Sequence, residues 1–541
     1  MTFNEFKYKV GMVGDPILPE VEWSDEQMAL LKDMGMNFAQ LNIAWDSRPK
    51  NEPLNLDDMT DEVVAVFKKR VAVLKKFSMK GMLHFGLPKV KVLGHEANIT
   101  QYITPACIME KETLVDNTVM MEKLMYALPD VDEYMFYTYD QHAWLCSEFG
   151  NCPNCAGVSL DKRLPQFINQ FKAAAAKINP GFIFWWQPWE LSLGQICETL
   201  NGIEPANFGL MLNTGGAESY FNNLDNYWIR CISVIAAEKN VPIIGEIQTA
   251  GSGVGAVPLS SFPCPTLVYR QISIVRRLPT FVGIKEHFGY PFSKTSCNML
   301  FSGEYLKDTE ASLEELLRRT AAYYGDKATP YLVEAWTKAE QAYDFIPFAF
   351  TYLYSNIAGY PLKHDFNVPK VEGVYADTPA WESDRRAYFL NTHGVSYHPW
   401  ALEDAALRFK QSGTRFRECH ALLTKALGFG SSRREDLERQ CSDMLQMAKA
   451  NLGQYYYFKE ALLAFDARTA LFQRDEDKFG LIVAEFEEIL KLDMLNQGKD
   501  KSITEKHKEF LLDKKLFFHK NFKQDEKYFA SGRIEKIDQR Y

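Results

Sequence analysis

Eight short apolar runs recur along roughly the first 290 residues, each followed by a polar stretch that repeats its apolar residues at helical spacing. The runs fall at 9–14, 38–45, 80–85, 134–139, 182–186, 208–213, 242–246 and 282–286. Stretches such as 61–77 and 164–178 carry the period-3.6 pattern of helices that bury one face. Strand and helix alternating eight times predict a closed parallel (β/α)8 barrel, an α/β fold. The barrel is expected over 1–295. A helical region closing on it is expected over 296–400, and a C-terminal helical domain over 401–541. Within these, helices are expected at 313–324, 331–343, 347–354, 402–411, 415–426, 434–449, 454–472 and 478–495. A stretch rich in Pro and Gly near 359–381 reads as loop.

Such barrels carry their chemistry where the strands stop. Reading those stops gives Asp15, Trp45, His84, Asp140-Gln141-His142, Trp185-Trp186-Gln187, Glu190, Asn213, Glu246, Glu286 and His287. Arg48 is the arginine beside a strand end. Proline after Asp15 holds that residue extended and stops the first strand. An imidazole next to a carboxylate, as in His142 near Asp140, is suited to moving protons near neutral pH. Indole faces of Trp45 and Trp185 can stack on sugar rings, while the amides of Gln141, Gln187 and Asn213 can read hydroxyls. Glycoside hydrolysis needs an acid for the leaving oxygen and either a carboxylate nucleophile or a base acting on water. The ring of strand ends offers candidates for each role.

The formal charge of −9 leaves no basic face for nucleic acid. No run reaches the roughly 20 apolar residues of a membrane span. The segment Met1-Thr2-Phe3-Asn4-Glu5-Phe6-Lys7 has no apolar signal core, so a cytoplasmic location is expected. Ten scattered cysteines fit reduced thiols. Cys146, Cys152 and Cys155 form one compact motif, but no second paired set lies nearby. Loop packing or reduced thiols are therefore expected there over a metal site, which would need a fourth ligand from a distant loop. The glycines at 251, 253 and 255 lack the helix of a dinucleotide loop, and no cofactor is expected.

Two family resemblances attach to these residues. The segment 140–155, an acidic strand end followed by a Cys-rich loop, resembles barrel glycosidases related to the β-N-acetylglucosaminidases. Tyr323-Tyr324-Gly325 and the helices after it are similar to the helical domain of those enzymes. An Asp closing strand one and a His closing strand four resemble the inverting exo-sialidases of glycoside hydrolase family 156. That resemblance implies that Asp15 and His142 divide proton transfer and water activation, with Asn356 as a third site residue. Arg48 would then meet the substrate carboxylate. The expected function is an exo-acting glycosidase taking a carbohydrate substrate, sialidase-like and inverting, with a homodimer through the helical region as an allowed arrangement. The alternatives are a retaining hexosaminidase-like enzyme using Asp140 with Glu190 or Glu246, and a metal-dependent amidohydrolase-like enzyme.

Overall fold

The computed structural model describes residues 5–13, 23–42, 60–88, 91–92, 103–104, 107–138, 146, 148–149, 151–188, 191–214, 227–247, 263–286, 296–346 and 399–497. Its centre is an eight-stranded closed parallel barrel. The strands are β1 (Tyr8–Met12), β2 (Phe38–Leu41), β3 (Lys80–Gly86), β4 (Glu133–Tyr137), β5 (Ile183–Gln187), β6 (Phe208–Asn213), β7 (Ile243–Ile247) and β8 (Phe281–Glu286). Each pairs with its neighbour in sequence, and β8 returns to β1 through Tyr8 opposite Gly283 and Val10 opposite Lys285. All eight expected strands are present. A two-residue antiparallel ribbon, Lys91–Val92 with Ile103–Thr104, is additional.

Period-two alternation sorts the strand side chains. In β5, Phe184 and Trp186 face outward into the main core, whereas Trp185 joins Tyr8, Val10, Phe38, Met82, Met135, Met211 and Ile244 inside the barrel. Gly209 lies opposite Trp185 on β6, and the indole occupies the space that a Cβ would fill. At the N-terminal end Trp185 Nε1 donates to Glu133 Oε2 at 2.5 Å, and Tyr8 Oη donates to Glu133 Oε1 at 3.1 Å. Burial raises the Glu133 carboxyl above its usual range, and those two hydrogen bonds pull it partly back.

The surrounding helices follow their patterns. They are α1 (Asp25–Asp33), α2 (Asp61–Lys76), α3 (Lys111–Ala127), α4 (Leu160–Ile178), α5 (Leu193–Gly202), α6 (Tyr227–Glu238), α7 (Pro265–Arg277) and α8 (Cys297–Lys307). In α4 the buried stripe Leu164, Phe167, Ile168, Phe171 and Ala175 has helical spacing. Ser24 with Gln27 and Ser192 with Gln195 form capping boxes that start α1 and α5. Beyond the barrel come α9 (Leu313–Ala322), α10 (Thr329–Phe345), α11 (Pro399–Leu427), α12 (Arg434–Phe472) and α13 (Glu476–Gln497). One continuous core joins barrel and helices: Tyr343 Oη donates to Pro263 O at 3.0 Å, and Trp336 Nε1 donates to Gln440 Oε1 at 3.0 Å.

The C-terminal helices differ from expectation in one respect. Two expected pairs, 402–411 with 415–426 and 434–449 with 454–472, are each a single helix, α11 and α12. Gly413 looks like a break in sequence but is a contact point. A Cβ there would lie 2.6 Å from Leu452 Cγ and 3.0 Å from Leu452 N, so the glycine lets α11 and α12 approach closely. The expected helix at 347–354 lies outside the described residues. No described helix is long and apolar enough to cross a membrane.

Candidate active site at the barrel mouth

The interior layer turns from apolar to polar within two residues. Phe38, Met82, Trp185, Met211 and Ile244 are followed on the same face by Gln40, His84, Gln187, Asn213 and Glu246. On β8 a register shift between Phe281 and Gly283 brings Lys285 level with Glu246. Asn213 lies opposite Glu246 on the other side. The C-terminal end of the barrel therefore has a polar floor resting on an apolar plug.

The floor is wired as a directional hydrogen-bond chain. Gln40 Nε2 donates to His84 Nδ1 at 3.2 Å, and His84 Nε2 donates to Gln187 Oε1 at 2.9 Å. Gln187 Nε2 donates to Glu246 Oε2 at 2.8 Å. Lys285 Nζ completes the run by donating to Glu246 Oε1 at 2.7 Å and to the Glu286 carbonyl at 2.9 Å. Each bond of the run pairs one donor with one acceptor when His84 is the neutral Nε2–H tautomer. Gln187, Glu246 and Lys285 expose 0%, 1% and 1% of their surface, so the ion pair is shielded from water. The Gln40 Oε1 atom, buried in this layer, has no hydrogen-bond partner among the described residues.

The sequence candidates divide clearly. His84, Gln187, Asn213 and Glu246 come together in the floor. Glu286 ends β8 buried, and its charge reaches Cys264, whose thiol is pushed well above its usual range by burial first and by that charge second. Trp185 lies one layer below the floor, bound to Glu133 at the opposite end of the barrel, so its indole faces core. Asp15, Trp45, Arg48, Asp140, Gln141, His142, Glu190, His287 and Asn356 lie outside the described residues. Two floor residues were not singled out from sequence. The register shift in β8 sets which of Lys285 and Glu286 faces inward, and no sequence spacing announces it. Gln40 lies inside the second apolar run, which continues in sequence to Trp45, past the strand end at Leu41.

The floor does not suit a metal. Both ring nitrogens of His84 are engaged by glutamine amides, and Glu246 is held through both oxygens. A separate group of four cysteines, Cys107, Cys146, Cys152 and Cys155, gathers in the loops that follow β3 and β4.

No family model matches the sequence, and no curated protein matches it. Solved structures do. A GH138 enzyme targeting pectin rhamnogalacturonan II aligns at a TM-score of 0.64 and 10% identity, covering 96% of this chain and 84% of that one. The likeness is one of fold. A mutant of the Thermobaculum terrenum O-GlcNAc hydrolase aligns at a TM-score of 0.46 and 11% identity, over 98% of this chain and 97% of that one.

Proposed function

We propose that the chain is an exo-acting glycoside hydrolase whose terminal sugar rests on the polar floor of the barrel mouth. The observation that carries this reading is the hydrogen-bonded run from Gln40 to Lys285. A buried ion pair at best breaks even against apolar packing of the same volume. Here the alternative is visible one layer down, where Met and Ile side chains fill the barrel. A polar layer at that end is explained by a ligand that needs oriented donors and acceptors, as a ring of hydroxyls does. Because Glu246 neutralises Lys285, the floor itself offers no net cation for a phosphate and suits the hydroxyls of a sugar ring.

The reading favours an inverting mechanism. A retaining nucleophile needs a carboxylate oxygen free to attack the anomeric carbon. Both oxygens of Glu246 are held, which suits a positioning residue better. Asp15 and His142, which follow β1 and β4 in sequence, then divide protonation of the leaving oxygen and activation of water. Arg48 would pair a sialic-acid carboxylate, with Trp45, Gln141, Glu190, His287 and Asn356 completing the pocket. A panel of aryl glycosides that includes sialosides and N-acetylhexosaminides tests this. Sialoside hydrolysis abolished by Asp15→Asn and by His142→Ala is the expected result. Hexosaminide hydrolysis that survives both changes and falls with Asp140→Asn would move the chemistry to the retaining alternative. No cleavage of any glycoside would overturn the proposal.

A further inference from the structure

Two loops that follow adjacent barrel strands meet at four sulfurs. Cys107 stands just ahead of α3, while Cys146, Cys152 and Cys155 lie between β4 and α4. The sequence motif of three cysteines thus acquires a fourth member that no local spacing announces. Cys107 Sγ lies 3.6 Å from Cys155 Sγ and 3.6 Å from Cys152 Sγ. All four sulfurs lie within 4.8 Å of one another.

We infer that Cys107, Cys146, Cys152 and Cys155 form a structural tetrathiolate site for one Zn2+ ion, stapling the loop after β3 to the loop after β4. The spacing is diagnostic. A disulfide needs sulfurs about 2.05 Å apart. Four thiolates at a Zn–S distance of about 2.3 Å around a tetrahedral centre sit about 3.8 Å apart, close to the separations found here. A multi-iron cluster divides the four thiolates among two or four irons and so spreads them more widely than a single ion does.

The surroundings also fit thiolates. Cys152-Pro153-Asn154-Cys155 is a tight turn, with Cys155 N and Ala156 N donating to Cys152 O at 3.2 and 2.9 Å. Gly157, at φ +74°, turns the chain back so that its N–H reaches Glu148 O at 2.8 Å. The backbone N–H groups of Asn154 and Cys155 aim at Cys152 Sγ, and that of Met109 aims at Cys107 Sγ. Asn154 Nδ2 adds a donor to Cys107 Sγ at 3.7 Å. Arg163, 1% exposed, donates Nη1 to Cys146 O at 2.9 Å. A guanidinium beside the cluster offsets the double negative charge that four thiolates and one divalent cation leave. Loading converts four thiols and Zn2+ into the tetrathiolate and releases four protons, with no change of oxidation state.

The ion has a mechanical consequence. Cys146 follows Asp140-Gln141-His142 by four residues, so anchoring it restrains the segment that carries them. That consequence rests on the glycosidase reading, whereas the metal site does not.

Elemental analysis of the full-length purified protein reads the site without substrate. About one zinc per chain is expected, falling to near zero in Cys152→Ser and in Cys155→Ser, while Cys231→Ser on α6 keeps its metal. Exchange with Co2+ should give the visible absorption of a tetrahedral cobalt thiolate, absent in Cys152→Ser. If the serine variants are insoluble, titrating wild-type thiols with a mercurial in the presence of a metallochromic dye decides the matter: one zinc should be released as four thiols react. Protein without zinc, zinc retained when both Cys152 and Cys155 are serine, or iron in its place would each overturn the assignment.

Discussion

Replacing Lys285 by Met tests the most heavily buried electrostatics of the barrel mouth. The two side chains of the Lys285–Glu246 pair are 2% and 1% exposed, and the N–O distance is 2.7 Å. Methionine matches the length of the lysine stem but removes the charge, so the buried Glu246 carboxylate loses its ion-pair partner while keeping the Gln187 amide. Breaking a buried pair in this way costs about 3–5 kcal/mol. With a urea dependence of about 3 kcal/mol per molar, the unfolding midpoint should fall by about 1 M or more. Intrinsic tryptophan fluorescence, to which the buried Trp185 and Trp186 contribute, reports the transition. The double variant Lys285→Met with Glu246→Gln removes both charges, and its stability should return to within about 1 kcal/mol of wild type. A loss below about 1 kcal/mol in Lys285→Met, the size expected of a solvent-exposed pair, would refute the shielded ion pair. Failure of the double variant to recover would show that the polar layer is required by the fold itself, which would remove the main support for a ligand site.

Three further changes test other parts of the account. Gly209→Ala would put a Cβ 2.2 Å from Trp185 Cζ3, so the indole must shift, and a loss of about 1–3 kcal/mol is expected by chemical denaturation; unchanged stability would mean the barrel interior is not filled as described. Gly413→Ala should also destabilise, because overpacking against Leu452 costs more than the roughly 1 kcal/mol gained in helix propensity; a more stable variant would contradict the close approach of α11 and α12. Glu133 carries a raised folded-state carboxyl, so its contribution to stability is fully present below its ordinary value of 4.5 and is lost as pH rises through the raised value. Relative to Glu133→Gln, wild type should therefore lose ground as pH rises above 4.5 in thermal-shift measurements, and parallel curves would contradict the buried carboxyl.

The barrel was legible because each strand is a short apolar run closed by turn residues, and because the intervening helices carry one-sided stripes such as Leu164, Phe167, Ile168 and Phe171. Helix ends inside the C-terminal region were less legible. Gly413 weakens a helix locally, yet the packing it permits against Leu452 outweighs that cost. At the mouth, His84, Gln187, Asn213 and Glu246 could be read because they end strands with regular alternation. Lys285 could not, since a one-residue register shift in β8 decides whether it or Glu286 faces inward. Trp185 shows the converse: aromatic and near a strand end, it serves the packing of the barrel interior. Cys107 escaped because it comes from a different βα loop, and only folding brings it to the three cysteines that share a motif.

In the proposed function, Asp15 and His142 cleave a glycoside at the barrel mouth through water. The most direct test is proton NMR of the first-formed anomer during wild-type hydrolysis of an aryl sialoside. Inversion is the expected result. A first-formed product that retains the substrate's anomeric configuration would contradict it, because retention requires a first displacement by a nucleophile other than water.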